Sequence, residues 1–446
     1  MKRKIITLLI LFQFLNSVMA QDTTVFKNKA IQISEVTITT VRTVKGLGYL
    51  GEVSNGIIYS GKKTEVLLVD SLDANTALNN PRQVMGRIPG AVFSETQGSG
   101  FPSNGVGFRG LNPSQSIETN TRMNGYNITA DLYGYPEAYF LPNLEAVQCI
   151  EITRGASSLQ FGPQFGGVVN YIIRDAPEKK FEFTNEQTAG SFGLFNSFNA
   201  IGGKYKWFSY YGYFQYTHVN GWRPSSDYNQ FSGFGKIQFQ PIENLKISLE
   251  YSALRNRIRM PGGLSDEQYD ADNRTSFRAR NWLKSPWNVG AFKLAYNISK
   301  NVSLNFTSSL LVSARDLVWK NEDGGPQSLD EINPATGMYE NREVEKETFL
   351  SSTNELRVTA NYNIAKTRNT IAGGVRFFYG KMHRQGGGEG TTGSDFDLTL
   401  LDPHFEYDLN FTTLNFAPFV ENIFRVTDKF SITPGFRFEY VKSIAK

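Results

Sequence analysis

The chain lacks several features that identify common classes of protein. Cys149 is its single cysteine, so no disulfide can form within the chain. After Ala20, no apolar run reaches the ~20 residues that a membrane-spanning helix needs. The histidines are scattered without metal-ligand spacing, and no nucleophile–base pair or carboxylate dyad stands in a recognisable frame. These absences exclude a disulfide scaffold and a helical membrane protein. They predict a protein that is not an enzyme and that has no cofactor and no protein-bound metal.

The amino terminus has the parts of an export signal. Residues 2–4 are Lys-Arg-Lys, residues 5–15 are apolar but too few to span a bilayer, and Ala20 is a small residue at a suitable cleavage position. We therefore predict that residues 1–20 are a signal peptide. Without its three cations the formal charge falls from +4 to +1, so the composition gives no electrostatic support for nucleic-acid binding.

Beyond Pro177 the sequence alternates between apolar and polar residues over segments of about ten residues. In one such segment Phe292, Leu294 and Tyr296 oppose Lys293 and Ala295. The links between segments are alternately short and long, and the chain has 34 Phe and 21 Tyr. This pattern is typical of a transmembrane antiparallel β-barrel, in which a closed sheet leaves no backbone group unpaired in lipid.

A separate motif covers residues 147–174, VQCIEITRGASSLQFGPQFGGVVNYIIR, where two β-branched strands flank a loop rich in glycine. It resembles the end of the plug domain of TonB-dependent outer-membrane receptors. Residues 81–88, PRQVMGRI, resemble the short plug helix, residues 106–113 resemble the Arg-Gly-Leu strand, and Asn124-Gly125 stands where the family has a tight turn.

The resemblance implies a fold class and a location. We expect an all-β membrane protein in the outer membrane of a Gram-negative bacterium. A small mixed α/β plug at residues 61–177 would sit inside a transmembrane antiparallel barrel whose amino-terminal part is residues 178–446. About 12 of the ~22 strands of the transporter class are expected here. Residues 443–446 lack the terminal aromatic of family members, so we expect a chain truncated at its carboxyl end.

Residues 21–60 are expected to form a periplasmic tail. Within it, the β-branched run resembles the TonB box, the segment that pairs by strand addition with a TonB-type energy-coupling protein. The run comprises Ser34, Glu35, Val36, Thr37, Ile38 and Thr39. An ordinary edge strand is the alternative reading of so short a segment.

The resemblance also implies contacts between plug and barrel. Arg109 and Arg154 occupy the positions at which family members place arginines that pair with glutamates on the barrel wall. An unpaired arginine in the lumen would be costly, so partners are expected. Residues 432–439 resemble the segment that carries one such glutamate, which makes Glu439 the candidate. A solvated residue of the lumen is the alternative for Glu439.

Two regions resemble ferric-dicitrate receptors and indicate a ferric chelate as ligand. Residues 161–170 are one, and residues 261–269, PGGLSDEQY, are the other; an arginine-rich stretch follows the second. Arginine suits carboxylate recognition. The ligand-binding candidates are Arg274, Arg278 and Arg280 in this stretch, and Gln97, Tyr133, Tyr135 and Glu137 in two plug loops. The acidic Glu137 opposes a citrate anion, so another iron chelate stays open.

Other readings remain for the protein as a whole. A receptor of the same fold could take another siderophore, cobalamin or a glycan, and a passive channel or adhesin belongs to a different class. The expected partners are the energy-coupling protein, the ferric chelate, and the lipid and lipopolysaccharide of the outer membrane. A monomer is expected.

Overall fold

The computed structural model describes residues 46–94, 105–130, 139–154, 159–162, 166–320, 329–365, 367–427 and 429–446. They form a small inner body, here called the plug, and a large sheet, here called the wall. The plug strands are β1 (Leu47–Gly48), β2 (Val53–Ser54), β3 (Ile57–Ile58), β4 (Lys63–Leu68), β5 (Ala91–Phe93), β6 (Val106–Phe108), β7 (Thr119–Met123), β8 (Tyr126–Asn127), β9 (Val147–Arg154) and β10 (Gly167–Ile173).

Six of these strands form the plug sheet, in the order β1-β4-β9-β10-β7-β8. Only the β10–β7 pair is parallel; the other neighbours are antiparallel. The β-branched runs of β9 and β10 suit central strands, and both strands are largely buried. Asn124 and Gly125 join β7 to β8 with φ of 48° and 87°, so the predicted Asn-Gly turn is confirmed.

The described part of the plug has one α-helix, α1 (Pro81–Met85), whose Val84 and Met85 belong to the apolar core. Asn80 caps it by accepting a hydrogen bond from the Arg82 amide, and proline occupies the first turn. Val84 and Met85 are fully buried. The helix is shorter than the predicted 81–88, because Gly86 follows directly and closes it with a hydrogen bond to the Arg82 carbonyl.

The wall is a fourteen-stranded antiparallel sheet. Its strands are β11 (Glu182–Ala189), β12 (Phe195–Tyr205), β13 (Phe208–Val219), β14 (Tyr228–Ile242), β15 (Leu245–Arg259), β16 (Trp282–Lys284), β17 (Trp287–Asn297), β18 (Val302–Trp319), β21 (Glu343–Ile364), β22 (Thr367–Glu389), β23 (Tyr407–Arg425), β24 (Ser431–Ile432), β25 (Gly435–Arg437) and β26 (Tyr440–Ala445). The loop hairpin β19 (Ile332–Asn333) with β20 (Met338–Tyr339) and the helix α2 (Asp266–Ala271) lie between wall strands.

Within the described residues, the fourteen wall segments occupy eleven strand positions in the sheet, because some segments share a position. This number is close to the predicted dozen. The segments β16 and β17 both lie between β15 and β18, and β24, β25 and β26 all pair with β23. Short turns join the strands at one end, whereas links such as residues 260–281, 320–342 and 390–406 are long at the other. No helix in the described part of the chain is both long and apolar enough to cross a membrane.

The wall is apolar on its outer face and polar on its inner face. Leu249 is 45% exposed, whereas its neighbours Ser248 and Glu250 are 2% and 5% exposed. This is the reverse of a soluble sheet, which exposes its polar residues. The alternation confirms the pattern read from the sequence, and it leaves an apolar surface on the outside that lipid would cover.

The sheet wraps around the plug, since strands from β12 to β25 contact it. Trp287 of the wall, for example, is buried against the plug and donates to the Ile128 carbonyl at 3.1 Å. Residues 46–60, placed by the sequence in the tail, also belong to this body. Leu47 pairs with Leu67, and Ile58 packs against Ala372 and the neighbouring wall. The two consecutive isoleucines at positions 57 and 58 are the sequence feature from which this burial could have been predicted.

A charge placed on the outer face should prevent folding in lipid. Leu249 lies in the middle of the apolar surface, beside Ile237 and Phe292. Leu249→Arg should destabilise the wall by about 2–4 kcal/mol, the cost of arginine near the midplane of a bilayer. The matched control is Met338→Arg, at a residue that is 61% exposed in a long loop and should tolerate the charge. Folding into lipid vesicles, followed by heat-modifiable gel mobility, measures both. Equal folding of the two variants would contradict a lipid-facing wall.

Candidate functional site

A buried ion pair from β7 to β21 joins the plug to the wall. Arg122 is fully buried, and its Nη1 and Nη2 donate to Oε2 and Oε1 of Glu355 at 2.9 and 2.7 Å. The remaining donors of Arg122 bind Asn120 and the Gly125 carbonyl. Two parallel charge-assisted bonds fix the geometry of both side chains, and the plug-side acceptors complete the solvation that burial removed.

Glu355 is the centre of a larger cluster of arginines. The Nη2 of Arg357 donates to Glu355 at 2.8 Å, and the Nε of Arg376 lies 3.8 Å from it. The ring of Phe161 lies between two guanidiniums, 4.5 Å from that of Arg122 and 5.1 Å from that of Arg357. One carboxylate of the wall therefore faces three guanidiniums, so its removal would leave more than one buried charge uncompensated.

Further polar contacts join the plug to the wall around its circumference. In each contact, a charged side chain on either the plug or the wall faces a polar or charged partner on the other body. They are Lys62–Glu421 at 2.7 Å, Lys236–Asp175 at 2.5 Å, Asn124–Glu250 at 2.6 Å and Asn196–Glu145 at 3.0 Å. These ion pairs and hydrogen bonds stand beside an apolar cluster in which plug residues pack against wall residues such as Phe234 and Trp287.

The structure does not assemble the plug–wall contact that the sequence predicted. Arg109 is exposed and adopts φ of 57° in the turn after β6. Arg154 binds Glu65 and the Pro89 carbonyl, all within the plug. Glu439 accepts from Arg437 and Asn415, its neighbours on the wall. Of the two predicted plug arginines, Arg109 is thus exposed and Arg154 makes contacts within the plug, and Arg122 makes the contact to the wall instead.

The predicted ligand arginines have different environments in the loop after β15. Arg280 is 1% exposed and binds Asp330 through two bonds of 2.5 and 2.9 Å. It also donates to the carbonyls of Thr392 and Glu340, so it joins three long loops. Such a side chain positions the loops and cannot turn to a ligand without leaving Asp330 buried and unpaired.

The other two arginines of this loop differ in exposure. Arg278 is buried, and its Nη1 donates to the Phe277 carbonyl. Arg274 is exposed; it stacks 5.6 Å from the Trp222 ring and donates to the Trp222 carbonyl. Of the three, only Arg274 is exposed. The other candidates, Gln97, Tyr133, Tyr135 and Glu137, and the segment Ser34–Thr39 lie outside the described residues.

Sequence reasoning missed a charged group on the inner wall, directly above the plug. Arg315 binds Glu345 at 2.8 Å and the hydroxyl of Tyr139, a plug residue, at 3.1 Å. Arg384 binds Glu347 at 2.7 Å. Their positions on the inward face of alternating strands were the available signal.

A polar cavity of about 70 Å³ lies between the plug sheet and strands β14 to β18. Glu151 of β9 and Lys293 of β17 line it, and Asn170 donates to Glu151 at 2.8 Å. Burial raises the pKa of Glu151 to about 7, against smaller opposing effects of Asn170 and Lys293. Among the residues that the structure describes, no group of three or more His, Cys, Asp or Glu could hold a metal ion.

Residues 62–169 match a family model described as the TonB-dependent Receptor Plug Domain. The chain is similar in structure to the ferric citrate transporter FecA in its unliganded form, with a TM-score of 0.73 and 21% identity, over 86% of this chain and 57% of that one. The ferripyoverdine receptor of the outer membrane of Pseudomonas aeruginosa matches with a TM-score of 0.70 and 15% identity, over 86% and 52%. The siderophore receptor PiuA from Acinetobacter baumannii matches at 0.60 and 15%, over 88% and 62%. The predicted fold is confirmed, and the chain spans less than two thirds of each of these structures.

The cluster around Glu355 predicts an asymmetry between its two halves. Glu355→Gln should lower the free energy of unfolding by about 3–5 kcal/mol, because it leaves buried guanidiniums without a counter-charge. Arg122→Met should cost less, since Glu355 keeps Arg357 and Arg376. The control is Glu178→Gln at the exposed pair with Lys204, where about 0–1 kcal/mol is expected. Urea unfolding in lipid vesicles measures all three. A larger loss for Arg122→Met than for Glu355→Gln would contradict this assignment.

The raised pKa of Glu151 predicts a dependence of plug stability on pH. The folded plug binds this proton more tightly than the unfolded chain, where the ordinary pKa is 4.5. Its stabilisation is therefore complete below about pH 4.5 and is lost as the pH rises through about 7, a difference of roughly 3 kcal/mol.

Thermal unfolding of the wild type should consequently give a higher midpoint at pH 5 than at pH 7.5. Glu151→Gln should reduce this difference, while Glu178→Gln should leave it unchanged. Burial also raises the pKa of Glu145 to about 7, so part of the dependence should remain in Glu151→Gln. An unaltered pH profile in Glu151→Gln would show that Glu151 is not protonated in this range.

Proposed function

We propose that this chain, which has the fold of a TonB-dependent outer-membrane receptor, is the plug and the first part of the barrel of a receptor. The receptor would actively import a ferric chelate of the citrate type. The observation that carries the proposal is a plug enclosed by the wall and held there by Arg122 and Glu355. A passive channel needs no such body in its lumen. An adhesin needs neither a plug nor a coupling tail.

The end of the wall that the amino-terminal segment reaches indicates the side of the membrane from which energy would be supplied. Glu52 pairs with Arg425 beside the short turns, the end that faces the periplasm in outer-membrane barrels. The preceding tail would therefore emerge towards the inner membrane. Porins make the outer membrane permeable to ions, so energy for uptake must come from a TonB-type partner. Residues Ser34–Thr39 would bind that partner by strand addition.

Charge at the opposite end supports an anionic chelate. Arg274 is exposed among the long loops. Its guanidinium would attract a multiply charged anion and bind its carboxylates, whereas Arg315 and Arg384 are already paired with Glu345 and Glu347. Arg280 contributes by holding the loops in place. Another siderophore, cobalamin or a glycan is the alternative ligand, since receptors of this fold named above include those for ferric citrate and for ferripyoverdine.

Deletion of Ser34–Thr39 should abolish uptake of radiolabelled ferric citrate by cells and leave its binding to the cell surface unchanged, because only the coupling segment is lost. The control is deletion of Asp22–Lys27, six residues of the same tail, which should transport normally. Continued uptake without Ser34–Thr39 would show that the energy does not enter through this segment.

Titration calorimetry of the purified protein against ferric citrate, other ferric siderophores, haem and cobalamin tests the ligand separately. Binding of ferric citrate with little binding of haem or cobalamin supports the proposal. Binding of haem or cobalamin with none of ferric citrate would overturn the choice of ligand and leave the fold intact.

A further inference from the structure

The two oxygens of the Glu355 carboxylate differ in the partners that the wall provides. Oε2 accepts hydrogen bonds from Arg122 of the plug at 2.9 Å and from Arg357 of the wall at 2.8 Å. Among the described residues, Oε1 accepts only from Arg122, at 2.7 Å. If Arg122 left with the plug, Oε2 would keep a partner on the wall, whereas Oε1 would have none. A buried carboxylate oxygen that loses its last hydrogen bond destabilises the state that contains it.

Arg376 of β22 stands directly opposite Glu355 in the register of the wall. Its side chain is buried, and its Nε lies 3.8 Å from Oε1 of Glu355, too far for a hydrogen bond. Neither its Nε nor its Nη2 has a hydrogen-bond partner among the described residues. These two nitrogens form one edge of the planar guanidinium, and such an edge can bind a carboxylate through two parallel bonds. Opposed residues of an antiparallel pair have Cβ atoms about 5 Å apart, so a change of rotamer would bring this edge to Glu355.

The plug holds Arg376 in its present position. The Nη1 of Arg376 donates to the carbonyl of Phe161, a plug residue, at 2.9 Å. The ring of Phe161 also lies 4.5 Å from the guanidinium of Arg122, so these two plug residues are in contact. Movement of this part of the plug would therefore take Arg122 from Glu355 and the Phe161 carbonyl from Arg376 together. The two groups left behind on the wall carry opposite charges and stand opposite each other.

We propose that Arg376 takes the place of Arg122 on Glu355 when the plug is released. Arg376 turns from the Phe161 carbonyl and donates to Glu355 through Nε and Nη2. The inference rests on the proposed function, because it requires the plug to move within the wall during transport. The exchange keeps the buried carboxylate compensated, while Arg122 finds its new partners in water. It also gives a reason for an arginine edge that is buried and unbonded while the plug is in place.

This exchange and a purely structural role predict opposite effects of Arg376→Met on release of the plug. If Arg376 served only to hold the plug through Phe161, its loss would remove one contact and the plug would leave faster. If Arg376 replaces Arg122, its loss removes the compensation that Glu355 needs once the plug has left. Release would then be slower, although a contact between plug and wall has been removed.

The test pulls the plug from the wall of the full chain in a lipid bilayer, at constant force, and measures the lifetime of each step. The force is applied through a cysteine introduced in the tail by Thr24→Cys, and the chain's own Cys149 is buried. The step of interest is the one whose lifetime Glu355→Gln shortens, because that substitution removes the charge that Arg122 binds. Neither ligand nor energy-coupling partner takes part, so a failure of this exchange is distinguished from a failure of ferric citrate uptake.

Release in Arg376→Met should be about tenfold slower than in the wild type, because a buried charged group loses a partner in the released state. Arg376→Lys keeps a cation opposite Glu355 and should release faster than Arg376→Met. When Arg376→Met is combined with Glu355→Gln, it should no longer slow release, since the carboxylate is gone. Heat-modifiable mobility confirms that each variant is folded.

The matched control is Arg437→Met. Arg437 is also a wall arginine that donates to a plug carbonyl, that of Leu159 at 3.0 Å, but its carboxylate partner is Glu439 at 3.1 Å. Arg437→Met should release the plug at the wild-type rate or faster. Four results would each overturn the proposal: release of Arg376→Met at the wild-type rate or faster, equal slowing in Arg437→Met, slowing that persists with Glu355→Gln, or no recovery in Arg376→Lys.

Discussion

The carboxylate of Glu355 is the group on which the arrangement of this molecule depends. It lies on the wall, buried, and pairs in two bonds with Arg122 of the plug while Arg357 and Arg376 face it from the wall. A folded body can remain inside a polar lumen only if the polar groups at the contact find partners as good as water. The wall supplies those partners to the plug, strand by strand, through Glu355, Glu421, Glu250 and Asn196.

Polar and apolar contacts in this interface would respond differently to movement of the plug. Ion pairs and hydrogen bonds can be replaced by water, whereas the apolar contacts with wall residues such as Phe234 and Trp287 resist separation because water must cover them. The contacts are also ordered along the chain. Glu52–Arg425 and Lys62–Glu421 lie nearest the tail, and Arg122–Glu355 lies further in. A pull on the tail would load the outer contacts first and reach the buried pair after they have opened.

Local sequence patterns predicted much of the fold, but they did not predict which residues far apart in sequence would pair. The period of two along the wall, proline at the start of α1 and the Asn124-Gly125 turn each depend on neighbours in sequence, and the structure has all three. The partner of a buried arginine depends instead on how strands far apart in sequence are brought together. Arg122 and Glu355 are 233 residues apart. Resemblance placed the contact at Arg109 and Arg154. Here Arg109 is exposed and Arg154 binds Glu65, because a motif places an arginine in the chain but does not specify which counter-charge the fold brings to it.

Under the proposed function, two arginines of the long loops would serve a ligand in different ways. Arg280 is enclosed by Asp330, the Thr392 and Glu340 carbonyls and the Tyr339 ring, so its charge is spent within the protein. Arg274 keeps its charge at the surface, with Trp222 beneath it. If both bound the ligand, removal of either would weaken binding by a similar amount. Because Arg280 instead fixes the spacing of three loops, its loss would disturb the shape of the mouth for every ligand. The loss of Arg274 would instead weaken binding more for ligands that carry more negative charge.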